Sequence, residues 1–334
     1  MNLSQRRSLS APAVRRLIWP LPSIFARLAQ YLGNSRGLRN IFRALLPINQ
    51  LVSDATDITY VSWLVPAERV RQLLPPPLEL QLFTVGKDNQ AYTLISILSF
   101  KNGHFGPCAL GPLRKYLCAS PPQVNCRLYV KPVGTDAPPN DTVFYLSVNL
   151  DNPWMTVFSR LFADGLPAHY AITLRHRKTD IMPDEAVSRW KYTTCVSGGT
   201  GSALDLYLEM TAPYHKKLAD IFGYCFGDYD AVAGFIIERN RAVCVKSLYE
   251  VDSSHLAGGA ISATLVESLI VPPTPGERAR HLIPAKFHAD TFFASDWLQE
   301  IIKGCECVSF VIPRIRIDVK EEKTSVMSVS TRLR

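Results

Sequence analysis

Several things are missing from this chain at once. It has no apolar run long enough to cross a bilayer as a helix, no Cys-x-x-Cys pair and, before Asp54, no acidic residue. The first absence excludes a helical membrane span. The second removes a zinc-ribbon or thioredoxin-type site, because the close pair Cys305 and Cys307 has no second pair at ligand spacing. Eight cysteines, most of them in apolar stretches, fit small buried hydrophobes in a reducing compartment. Cytoplasm or an organellar matrix is therefore expected, and the Asn140-Asp141-Thr142 sequon carries little weight. The glycine cluster at 197–201 is followed by neither a helix nor a Walker-spaced lysine, so it reads as a hairpin turn rather than a phosphate cradle.

The third absence concentrates the positive charge. Residues 1–53 hold eight arginines and no lysine, whereas the remaining 29 basic residues are matched by 29 acidic ones. A formally neutral body gives no reason to expect nucleic acid as a partner. The acid-free segment interleaves its arginines with Leu17, Trp19, Phe25, Leu28 and Phe42, and Pro20, Pro22 and Gly33 break it. It fits an organellar transit peptide, a helix lying on an anionic membrane surface, or a disordered or loosely docked arm. The expected organisation is an arm over 1–53 and one domain over 54–334, with peripheral membrane contact through the arm.

What is present is apolar material, 47% of 334 residues, enough for a large core. Residues 143–170 (VFYLSVNLDNPWMTVFSRLFADGLPAHY) organise the rest: a strand, a polar turn at 150–152, an amphipathic helix with Val157, Leu161 and Phe162 on one face, and a Gly165-Leu166-Pro167 corner into the next strand. Strands are also expected over 57–64, 78–85, 91–100, 123–130, 171–177, 189–196, 203–210, 231–237, 242–250, 263–270 and 307–319. Short helices are expected over 66–74, 213–222 and 297–302. The proline- and glycine-rich stretch 103–122 is too long for an ordinary connection and reads as a lid or pocket rim. Many strands, few helices and no repeat predict a mainly β (α+β) domain, a mostly antiparallel barrel or strongly curved sheet with peripheral helices.

Four motifs carry a resemblance: VPAERVRQLLPPPLEL, QVNCRLYV, NLDNPWMTVFSRLFADGLPAHY and VSFVIPRIRI. In this order they resemble the acetoacetate decarboxylase-like superfamily over about residues 57–319, and within it the uncharacterised YqjF-like branch with a domain of unknown function. The resemblance implies a cone-shaped, largely antiparallel β-barrel with a closed pocket, assembled into homo-oligomers. In the decarboxylases an adjacent lysine and an apolar site lower the pKa of a Schiff-base lysine. The resemblance puts Ala168 and His169 where that lysine pair stands, Gln123 at a family glutamate and Thr56 at a family arginine. It therefore implies loss of imine chemistry, and no cofactor or metal is expected. Lys216 and Lys217 are adjacent but read as an exposed helix, and Lys246 and Lys286 have no cationic neighbour in sequence.

A polar constellation remains around the implied pocket. One face of the 123–130 strand alternates Gln123, Asn125, Arg127 and Tyr129, more hydrogen-bonding groups than a plain surface strand needs. Arg127 can hold a carboxylate in bidentate fashion. His169 is the candidate for acid/base work near neutral pH, with Tyr170 beside it. The expected function is binding of a small, carboxylate-bearing apolar ligand, either as a non-imine lyase or isomerase or as a catalytically silent barrel on a membrane surface.

Overall fold

The computed structural model of the chain describes residues 17–20, 22–45, 50–74, 78–85, 90–131, 142–162, 168–181, 189–198, 204–214, 218–237, 241–245, 262–271 and 282–328. Two helices, α1 (Ile24–Asn34) and α2 (Arg36–Leu45), precede the long strand β1 (Gln50–Pro66). The short helix α3 (Ala67–Arg71) leads to β2 (Phe83–Val85), β3 (Gln90–Lys101) and β4 (Gly106–Pro107). A 3-10 segment, Cys108–Leu113, runs into α4 (Arg114–Leu117) and β5 (Pro122–Val130). Then come β6 (Thr142–Leu150), α5 (Pro153–Phe162) and β7 (Ala168–Tyr170), followed by a meander of β8 (Thr173–Ile181), β9 (Arg189–Ser197) and β10 (Leu206–Ala212). Helices α6 (Asp220–Phe226) and α7 (Tyr229–Ile237) lead to β11 (Arg241–Val245) and β12 (Ser262–Val271). The chain ends with the two-residue strands β13 (Ile283–Pro284), β14 (Lys286–Phe287) and β15 (Phe293–Ala294), helix α8 (Asp296–Ile302) and the long strand β16 (Cys307–Ser328).

The expected β architecture with peripheral helices is present, but not as a single cone-shaped barrel: the strands divide between two sheets. The larger runs β13-β16-β12-β11-β6-β5-β3-β1-β4, with β2 and β7 attached and β16 also pairing with β1. The smaller runs β14-β10-β9-β8, with β15 on β10. Side-chain alternation explains the division. Val61, Ile97, Val124 and Leu128 on one face of the large sheet pack against Leu174, Tyr192, Leu206 and Met210 of the small one. On the other face, Tyr60, Leu98, Tyr129 and Val148 pack beneath Phe222, Val232 and Ile236 of α6 and α7. Central strands apolar on both faces need a layer on each side.

Two secondary-structure expectations are overturned. Residues 231–237 form helix α7 rather than a strand, because an apolar run this short satisfies either period and local capping decides. Asp228 Oδ1 accepts from Ala231 N at 2.8 Å, and Val232, Ala233, Ile236 and Ile237 are buried at helical spacing. The helix expected over 213–222 instead occupies Asp220–Phe226. Strand β2 is shorter than the expected 78–85, with Leu80 as an isolated bridge to Val130. Among the described residues no helix is long and apolar enough to cross a membrane. The corner 165–167, most of the 197–201 turn, Lys216, Lys217 and Lys246 lie outside the described residues.

The described residues 17–34 are docked on the domain. Ala26 and Ala29 of α1, with Leu17 and Trp19, pack against Val157 and Leu161 of α5. Gly33 permits the close approach, since a Cβ there would lie 2.6 Å from Leu17 Cδ2. Strand β1 begins at Gln50, inside the expected arm.

Candidate functional site

Strand β5 sits between β3 and β6 in the large sheet, and its alternation is as the sequence predicts. Val124, Cys126, Leu128 and Val130 enter the core between the sheets. Gln123, Asn125, Arg127 and Tyr129 take the opposite face, where all four are buried. A bulge between Cys126 and Arg127 brings Arg127 level with Tyr145 of β6, while Ser96 of β3 flanks it on the other side.

The Arg127 guanidinium lies in a cage of tyrosines. Nε and Nη2 donate to Tyr129 Oη at 3.3 and 3.1 Å. Its Cζ lies 5.3 Å from the centroids of both the Tyr60 and Tyr129 rings. Nη2 also donates to the Ile236 carbonyl at 2.7 Å, in the last turn of α7, where a helix presents its negative end. Tyr129 continues to Ser96 Oγ at 2.9 Å and Ser96 to Ser62 Oγ at 2.6 Å. Burial alone would lower the Arg127 pKa, but Tyr129, Tyr60 and Tyr145 more than offset it and the pKa is raised, so the group stays cationic. Burial raises the Tyr145 pKa against the pull of Arg127, keeping that hydroxyl neutral. Among the described residues no carboxylate forms an ion pair with Arg127.

Gln123 and Asn125 belong to a second buried chain. Ser53 Oγ donates to Asn102 Oδ1 at 2.8 Å, Asn102 Nδ2 to Gln123 Oε1 at 3.0 Å, and Gln123 Nε2 to Asn125 Oδ1 at 2.8 Å. These groups satisfy one another from β1 through Asn102, just past the end of β3, to β5, as a buried polar chain must.

The structure does not bring His169 and Tyr170 to this cage. Parallel pairing of β7 with β6 aligns Ala168 with Val148, His169 with Asn149 and Tyr170 with Leu150. Ala168 and Val148 share the core cluster that holds Tyr60, Tyr129 and Tyr145. His169, fully buried, takes the other face with Asn149, whose side chain donates to the Val124 carbonyl and accepts from Leu204 N. Tyr170 stacks on Trp19 at 4.5 Å and 7°, beneath the N-terminal segment. Lys286 is exposed in a short strand of the small sheet.

A cavity of about 450 Å³ lies elsewhere, between the 105–119 segment and α5, lined by Leu51, Phe105, Leu117, Met155, Phe158 and Ser159 among others. The stretch expected to be a pocket rim does form one, but none of the sequence-predicted site residues lines it. Leu51 and Phe105 link the cavity to the core cluster around the cage.

Sequence reasoning missed Tyr60, Ser96, Tyr145 and Ile236, which surround Arg127, and Ser62, which joins through Ser96; strand register or helix packing brings them in and leaves no local signal. It also missed Gly33-Asn34-Ser35-Arg36-Gly37, which has nucleophile-elbow spacing. That motif lies between two helices rather than after a strand, and Ser35 Oγ accepts from Leu38 N at 3.4 Å as a cap. Among the described residues no cluster of His, Cys, Asp or Glu could hold a metal.

Comparison with known proteins adds the relationship. An acetoacetate decarboxylase-like enzyme from Sphingomonas wittichii RW1 superposes over 84% of this chain and 94% of its own, with a TM-score of 0.50 and 12% identity. The enduracididine biosynthesis enzyme MppR in complex with pyruvate matches over 82% and 89%, with a TM-score of 0.46 and 12% identity. An acetoacetate decarboxylase matches over 84% and 91%, at 0.44 and 13%. No curated protein matches the sequence. The first of these likenesses shows the acetoacetate decarboxylase-like fold, and the DUF2071 profile, described as an uncharacterized conserved protein, matches residues 53–255. The chain belongs to the DUF2071 family.

Proposed function

We propose that this domain binds a small apolar molecule through a carboxylate held by Arg127, without imine chemistry. The observation that carries the reading is a buried guanidinium with tyrosine and carbonyl partners and no carboxylate partner among the described residues. A buried ion without a counter-ion is costly by several kcal/mol, and an anionic ligand would offset that cost. Ala168, where the resemblance expects the reactive lysine, is buried on the same face as the cage and offers no amine. Acid/base catalysis by His169 would need its ring on that face, and the register puts it on the other. The geometry therefore favours a binding site over a lyase or isomerase.

Nη2 already donates to Tyr129 Oη and to the Ile236 carbonyl, so a ligand carboxylate reaching it must displace one of them, and loss of the Ile236 contact would couple binding to α7. The test is thermal unfolding of the full chain with a panel of medium-chain carboxylates and their neutral amides. At about a hundred times Kd a carboxylate should add about 2.7 kcal/mol, a shift of a few degrees. Arg127→Met should lose that increment, read against the variant's own unliganded melting point, which should be lower than the wild type because Tyr129 Oη and the buried Ile236 carbonyl lose their donor. Equal stabilisation by acid and amide, or an increment kept in Arg127→Met, overturns the proposal. Borohydride with a β-keto acid should leave every lysine unmodified, and an adduct would return the chain to imine chemistry.

A further inference from the structure

Apolar exposure is concentrated on one side of the molecule. Of seventeen exposed large hydrophobic residues among the described ones, eleven lie in the α1–α2 segment with Ile18, in residues 113–117, or in α5. Helix α1 turns only part of its apolar surface inward, Phe25 and Leu32 packing beside its small residues. Its small residues Ala26, Ala29 and Gly33 are buried, whereas Ile24, Leu28 and Tyr31, spaced i, i+4, i+7, point away, Ile24 being 89% exposed. Ser23 fixes where this helix begins, its Oγ accepting from Ala26 N at 3.0 Å.

The exposed pieces adjoin one another. Phe25 of α1 meets Trp154 of α5 edge-on at 5.4 Å, and α5 faces the 105–119 segment across the 450 Å³ cavity. Tyr116 is 85% exposed beside Leu113 and Leu117, and Trp154 and Phe158 are exposed on α5. The described stretches that build the face, 17–20, 22–45, 102–122 and 152–162, contain no Asp or Glu, while Arg27 and Lys115 are exposed within them.

From this juxtaposition we infer that the face built by α1, the 105–119 segment and α5 docks on an anionic lipid bilayer. Ile24, Leu28, Leu117 and Phe158 supply apolar area to the acyl boundary. Trp154, Tyr116 and Tyr31 are residue types that settle at headgroup level. Asp54 of β1 pairs with Arg114 at 3.3 Å, and the exposed Arg27 and Lys115 complement lipid phosphates. A second copy of the chain would bring the same positive surround against this face, which disfavours self-pairing. The inference is independent of what Arg127 binds.

Flotation of the full chain with phosphatidylcholine vesicles, and with vesicles containing about 30% phosphatidylglycerol, tests this. Partitioning should be roughly tenfold or more stronger on the anionic vesicles and should weaken at high salt. Leu28→Glu combined with Tyr116→Glu should abolish it, and Phe293→Glu, on the small sheet, should leave it intact. If the double variant melts early, Leu28→Ser with Tyr116→Ser takes its place and should lower partitioning severalfold. No preference for anionic vesicles, or unchanged partitioning of the variants, overturns the inference. So does a concentration-dependent dimer that the same substitutions dissociate, which would make the face a contact between copies.

Discussion

The cage around Arg127 and the face around α1 are opposite solutions to placing side chains. In the cage a cation and polar groups are buried, each hydrogen bond runs to a named partner, and a helix closes over them. On the α1 face large apolar groups are exposed and small ones lie beneath. Neither arrangement serves the stability of an isolated monomer well. A buried cation is normally paired, and large exposed apolar patches are uncommon on soluble monomers. Each becomes economical with a complement from outside, an anion for one and a lipid surface for the other.

Arg160 of α5 is the seam between the two regions, and its removal should have the largest effect. Almost fully buried, it donates from Nε to the Gly33 carbonyl at 3.1 Å and from Nη1 to the Ala168 carbonyl at 2.9 Å, and Nη2 reaches Asn34 Oδ1 at 3.3 Å. It thus joins the end of α1 to β7. Arg160→Ala takes the donor from the Gly33 and Ala168 carbonyls, while Asn34 Oδ1 keeps Leu17 N, so urea unfolding should show a loss of about 3 kcal/mol or more. The buried indole of Trp19 should become exposed as α1 detaches. If stability falls while Trp19 stays buried, α1 is held by its apolar contacts alone and the regions are less coupled than the geometry indicates.

A pH effect of slightly smaller size should mark the buried polar side. His176 of β8 donates from Nε2 to the Asp57 carbonyl at 2.6 Å, where β1 bulges and Asp57 has φ +53°, and Nδ1 pairs with Thr194 Oγ1 at 2.9 Å. The carbonyl can only accept, so Nε2 carries a proton, and the lowered pKa makes this the neutral tautomer near pH 7. Burial pushes its pKa down to about 4. Because the folded value lies below the unfolded one near 6.5, the unfolded chain takes up the proton first as pH falls. Stability is fully present above about pH 6.5 and declines between about 6.5 and 4, by about 3 kcal/mol at most. His176→Gln, measured over the same range, should show a shallower decline. An unchanged slope assigns the acid sensitivity to carboxylates instead.

Much of the polar side was legible in the sequence, because Gln123, Asn125, Arg127 and Tyr129 alternate within one strand and alternation is a local signal. What completes the cage was not. Tyr60 lies 67 residues before Arg127 and Ile236 lies 109 after it, and each is brought in by pairing or packing that no local pattern encodes. Residues 231–237 read as a strand because a short apolar run fits a buried strand as well as a buried helix. For His169 the residue was legible but its face was not, since the direction of β7 depends on its parallel pairing with β6. The apolar side was legible as composition, acid-free and rich in arginine. That its large residues point outward required knowing that α5 receives the small ones.

The smallest stability effect should come from the apolar face. Tyr116→Ser removes a side chain that is 85% exposed and Leu28→Ser one that is 51% exposed, so the transfer term is small at the first and modest at the second. Chemical unfolding should change by less than about 0.5 kcal/mol for Tyr116→Ser and by about 1 kcal/mol for Leu28→Ser, against about 3 kcal/mol or more for Arg160→Ala. Serine has a slightly lower helix propensity than leucine, so the sign in α1 should be mildly destabilising. A loss above about 2 kcal/mol at either position would place it in the range of buried large-to-small substitutions. The face would then belong to the folded core, and the contrast with the cage would disappear. A small change together with weakened vesicle partitioning separates the two regions: stability depends on the buried polar seam, and the exposed apolar residues serve association.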